Sequence, residues 1–73
     1  RGFIMDLAEV LQKAKDAGFI VKLADNGLTI TVIFFDSNPS YSEKFNELER
    51  NQCETIPDVI RFIDRCIWNY SEV

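Results

Sequence analysis

The chain has 73 residues, 47% of them hydrophobic and 27% charged, with a formal net charge of −4. That length holds one domain, burying only about 60% of the surface its unfolded form exposes, and the composition is that of a folded domain, not a disordered one. Net negative charge disfavours direct nucleic-acid binding, no apolar run nears the ~20 residues of a membrane span, and no signal peptide is visible, so a cytoplasmic location is expected.

Residues 1–5 read as a leader, added or disordered, ahead of a single domain over 6–73, because Met5 directly precedes a helix-start signal. Asp6-Leu7-Ala8-Glu9 has the form of a capping box, in which an acid accepts from an early orphan N–H and the Glu three residues on reaches back. Leu7, Val10, Leu11 and Ala14 then recur at helical spacing, and Gly18 supplies a left-handed stop. A first helix is predicted over 7–17. The segment 19–24 is β-branched and aromatic, Asn26-Gly27 is a strong hairpin signal, and a second strand is predicted over 28–35. Alternation fails at Val32-Ile33-Phe34-Phe35, which is apolar on both faces.

Asp36-Ser37-Asn38-Pro39 is a turn cluster, and Ser40-Tyr41-Ser42-Glu43 is a second capping-box pattern. With Tyr41, Phe45 and Leu48 on one stripe, a second helix is predicted to end near Arg50 or Asn51. Thr55 caps a third, with Pro57 in its first turn and Asp58 at the positive end of its dipole. Its core stripe is Val59, Ile60, Ile63, Cys66, Ile67 and Tyr70, with Phe62 and Trp68 outside it. The expected fold is α+β, of order αββαα: an antiparallel β-hairpin packed against three helices.

Catalytic equipment is sparse, and no enzyme activity is expected. There is no histidine, so no Cys–His or Ser–His pair can form. Cys53 and Cys66 alone cannot close a tetrahedral zinc site. One disulfide between them is an option; two free thiols packed as small hydrophobes is the expected state. Cys53 falls in a predicted loop, where an exposed thiol is an option. The three glycines stand apart, so there is no phosphate loop, and Asp25-Asn26-Gly27 lacks the later ligands of a calcium loop. No cofactor and no metal are expected.

Binding is the remaining class. If Val21, Leu23, Leu28, Ile30, Val32 and Phe34 face the helices, then Ile20, Ile33 and Phe35 lie on the opposite face beside Lys22, Thr29 and Thr31. Large apolar groups there, each worth ~1.5–3 kcal/mol when fully buried, suit a docking surface for another protein. Cover by Phe3 and Ile4, by Phe62 and Trp68, or by the tail is the competing explanation. Trp68 itself suits either an interface or a lid on the core. The candidate contacts are Ile20, Lys22, Thr31, Ile33 and Phe35. The alternative function is a phage-encoded small acidic inhibitor, an anti-defence protein or nucleic-acid mimic. It would act through the acidic segment 43–58, with Glu43, Glu47, Glu49, Glu54 and Asp58. A homodimer joined through a strand edge is a third arrangement.

Three stretches, Asp6-Leu7-Ala8-Glu9-Val10-Leu11, Ala17-Gly18-Phe19-Ile20-Val21-Lys22-Leu23 and Gly27-Leu28-Thr29-Ile30, carry a family resemblance. Together they resemble the TubC-type N-terminal docking domains of peptide and polyketide synthetases. The resemblance covers residues 6–32 and implies an αββαα module whose hairpin recognises a short segment of a partner protein. The second half, with its turn at 36–40 and long acidic segment, departs from that family's short basic ending.

Overall fold

A computed structural model describes residues 5–39 and 45–71. The elements run α1 (Leu7–Asp16), β1 (Phe19–Asp25), β2 (Ile30–Pro39), β3 (Phe45–Cys53) and α2 (Ile56–Tyr70). The fold is α+β, as the sequence implies, but of order αβββα, with two helices on one antiparallel sheet of order β1-β2-β3.

The first half forms as its local signals dictate. Asp6 Oδ1 accepts from the Glu9 amide at 2.8 Å and Glu9 Oε1 from the Asp6 amide at 2.9 Å, closing the capping box of α1. Ala17 is the C-cap, and Gly18 follows at φ +93°, where a side chain would be strained. The reversal between β1 and β2 is longer than a two-residue hairpin turn. Asp25 Oδ1 accepts from the Gly27 amide, Asn26 Oδ1 accepts from the amides of Leu28 and Thr29, and Gly27 sits at φ +91°. Asn26 therefore organises a four-residue loop. Leu28, expected to open the second strand on its core face, lies in that loop and is 85% exposed.

The second half overturns the expected helix ending near Arg50. Residues 45–53 are a strand, and the predicted hairpin with three helices is corrected to a three-stranded meander with two. The physical reason lies in β2. β1 pairs only one edge of β2, and the backbone N–H and C=O groups along its other edge take their partners in a second ladder, from a further strand. β3 supplies that ladder, pairing Ile30 with Cys53 through Phe34 with Glu49. The helix-forming character of Glu, Leu and Arg here is a weak preference that the ladder overrides. The capping box at Ser40-Tyr41-Ser42-Glu43, and residues 1–4 of the expected leader, lie outside the described residues. Met5, placed in that leader, packs against the core.

Both helices lie on one side of the sheet. Val10 and Ala14 of α1 and Val59, Phe62, Ile63, Cys66 and Ile67 of α2 are buried with Phe19, Val32, Phe34 and Cys53. The Phe19 and Phe34 rings stack tilted at 4.7 Å between centroids. Phe62, set outside the stripe by the sequence reading, stands at i+3 from Val59 and is core, whereas Tyr70 sits at the rim, 37% exposed with its ring 6.1 Å from that of Phe34. Lys13 and Asp64 bridge the helices at 2.7 Å. Among the described residues no helix is long and apolar enough to cross a membrane.

Candidate docking face

Strand register decides which side chains reach the side of the sheet away from the helices. β1 and β2 pair without interruption from Phe19 with Asp36 to Asp25 with Ile30. Side chains alternate along a strand, so Phe19, Val21, Leu23, Ile30, Val32 and Phe34 turn towards the helices. Ile20, Lys22, Thr31, Ile33 and Phe35 share the opposite face, which is open among the described residues; Phe3, Ile4 and residues 72–73, the competing cover, lie outside them. The sequence-predicted contacts are thus brought together on one surface.

On that face the ladder forms rows. Ile20, Phe35 and Glu47 make one row, Lys22, Ile33 and Arg50 the next, and Ala24, Thr31 and Gln52 a third. Ile20, Ile33 and Phe35 are half-buried, flanked by neighbours in the ladder. None of them belongs to the core cluster or packs against it.

β3 reaches the open face by an irregular route. Phe34 pairs with Glu49 but Phe35 pairs with Glu47, so Leu48 is an extra residue in the ladder, a β-bulge. Its effect is to put Glu47 and Glu49 on opposite faces and Glu47 on the same face as Arg50. The Arg50 guanidinium donates to Glu47 Oε1 at 2.8 Å and to Oε2 at 3.1 Å. That fork lowers the Glu47 carboxyl from its ordinary value and raises Arg50. Arg50 was not among the residues singled out from the sequence; only a strand at 45–53 in this register places it beside Ile33.

Among the described residues the acidic segment is divided between the two faces of the sheet. Glu43 lies outside the described residues. Glu47 is held by Arg50 on the open face, Glu49 by Arg65 on the helix side at 3.0 Å, and Asp58 pairs with Arg61. Glu54 is exposed in the turn before α2. Glu49 also accepts from the Tyr70 hydroxyl at 3.1 Å, which with burial raises the Tyr70 pKa.

Both cysteines are free and buried. Cys53 ends β3, not a loop. Burial pushes its thiol up, with the Asp58 charge adding to the effect. Cys66 is pushed up to about 12, first by burial and then by the charge of Glu49. Both are protonated at neutral pH, the opposite of what a thiolate nucleophile needs. Among the described residues no group of His, Cys, Asp and Glu could hold a metal ion.

Trp68 does not lid the core. It is 83% exposed beside a groove of about 350 Å³ lined with Lys13, Asp64, Ile67 and Ser71. A shallower depression of about 500 Å³, lined by Cys53, Asp58, Arg61 and Arg65 among others, lies at the start of α2. Compared with known proteins, the chain matches no family model, no curated protein and no solved structure.

Proposed function

We propose that the domain is a non-catalytic protein-interaction module that binds a partner protein through the open face of its sheet. The observation that carries this is the segregation of apolar groups. Val32 and Phe34 are wholly buried under the helices, while Ile33 and Phe35, alternate residues of the same strand, are apolar without joining the core. A strand needs apolar side chains on one face only to hold a helix layer, so the second set suits another binding surface. The TubC-type resemblance points to the same element, the β1–β2 hairpin, as the docking surface.

The acidic-inhibitor reading draws less support. It rests on a continuous anionic surface, and Glu47, Glu49 and Asp58 each have an arginine partner. Binding that weakens steeply with salt and is lost on replacing Glu54 would favour it instead.

The test is a paired change, Ile33→Ser with Phe35→Ser. Partner capture from the cells that make the protein should be lost while the melting temperature stays nearly unchanged. A large fall in melting temperature, or unaltered capture, would overturn the proposal.

A further inference from the structure

The charges of the described residues are not shared evenly between the two sides of the sheet. The open face holds Lys22, Arg50 and Glu47, a net charge of +1. The other described residues carry four bases (Lys13, Lys15, Arg61, Arg65) against nine acids (Asp6, Glu9, Asp16, Asp25, Asp36, Glu49, Glu54, Asp58, Asp64), a net charge of −5. A domain acidic elsewhere is thus locally cationic where it is apolar. Arg50 is held by Glu47, so the cation open to a partner is Lys22, which has no ion-pair partner among the described residues.

The layout also selects a shape. Lys22, Ile33 and Arg50 lie on three neighbouring strands about 4.8 Å apart. The two cations therefore bracket Ile33 at a backbone separation of about 10 Å, the width of an α-helix with its side chains. Ile33 and Phe35 extend the apolar strip along β2, between those flanks. The edges suit an added strand less well. β1 has Lys22 at its middle, and β3 carries a bulge and three charged residues, Glu47, Glu49 and Arg50.

Resting on the reading of the open face as a docking surface, we infer that its occupant is an acidic amphipathic helix of the partner protein. It lies along β2, with apolar residues on Ile20, Ile33 and Phe35 and a carboxylate against Lys22. Carboxylates along its flank meet the positive face, and the same charges are repelled by the acidic remainder of the domain, which fixes the side of approach.

A displayed library of helical peptides tests this, with leucine fixed at i, i+3, i+4 and i+7 and the other positions randomised. Selected peptides should be rich in Asp and Glu, bind about tenfold or more weakly to Lys22→Glu, and lose binding to Ile33→Ser. Added to the unaltered protein, they should shift the amide resonances of residues 20–22 and 31–35 and spare those on the outer sides of the helices. Neutral or basic peptides that still depend on Ile33 would overturn the helix chemistry and leave the docking face standing. Peptides indifferent to both substitutions, shifts confined to α1 and α2, or no enrichment at all would overturn the helical occupant, while the docking face itself falls only on unaltered capture by, or a large loss of stability in, the Ile33→Ser, Phe35→Ser variant. Lys22 is exposed at a sheet edge, so its variant folds and that arm reads out even where Ile33→Ser does not fold.

Discussion

Cys66 shows how one side chain is tuned by its neighbours. It sits on the buried stripe of α2, with its sulfur 3.8 Å from Glu49 Oε1. A low-dielectric surrounding and an adjacent carboxylate both penalise the thiolate, and they act in the same direction. The folded state therefore holds the proton through a range in which the unfolded chain releases it. The sign follows: this contribution to stability is intact below the ordinary thiol value of about 9 and is lost as pH rises towards about 12. Urea midpoints measured from pH 7 upward should hold steady to about 8.5 and then decline. Cys66→Ala should flatten that decline, and a decline unchanged by the substitution would assign it to other groups, Tyr70 first among them. A thiol reagent at neutral pH should label neither cysteine until the chain is unfolded.

Among the elements, the strands differ in how readable they are. α1 is written in the sequence at both ends, by Asp6 and Glu9 and by Gly18, and it forms as read. α2 is equally clear at Thr55, whose hydroxyl accepts from the Asp58 amide at 3.3 Å. β3 is not clear. Glu47, Leu48, Glu49 and Arg50 have good helix propensity, and the stripe of Phe45 and Leu48 fits a helical period, so local signals point the wrong way. The information that corrects them is non-local. It is the free edge of β2, whose backbone groups from Ile30 to Phe34 pair with Cys53 to Glu49, a long-range ladder that no local pattern in 45–53 announces. The open-face residues on β1 and β2 were legible because alternation and an Asn-Gly reversal fix their side; Arg50 was hidden with the strand that carries it. The edges make their own prediction. Lys22 in β1 and the bulge in β3 oppose strand addition, and a β1 pair centred on Lys22 would set like charges face to face. Sedimentation across a wide concentration range should give a monomer; a dimer would revive the strand-edge homodimer.

In the whole molecule, one face of β2 carries the core and the other carries the proposed docking surface. Phe34 is fully buried and touches the Phe19 ring, while Phe35, the next residue, points away from the helices. Phe34→Ala should cost about 3–5 kcal/mol, enough to unfold much of a domain this small. Ile33→Ser with Phe35→Ser should cost far less, and thermal melts of the two variants side by side would show the contrast. Comparable losses would mean that the domain has a core on both sides of its sheet.

The Leu48 bulge carries a consequence for chain length. It shifts the pleat by one residue, so the strand before it and the strand after it obey opposite rules of facing. Deleting Leu48 alone would make the ladder regular: Glu47 would directly precede Glu49, still opposite Phe35 and still on the face that carries Arg50. The Glu47–Arg50 pair would be kept, its members now two residues apart on one strand instead of three. A shortening of one residue at the bulge would thus leave the charge pattern of the open face in place, whereas a slip that made Leu48 a paired residue would invert it; deletion of Leu48 should leave the Glu47 carboxyl as depressed as in the intact chain, read by its side-chain carbon resonance against pH.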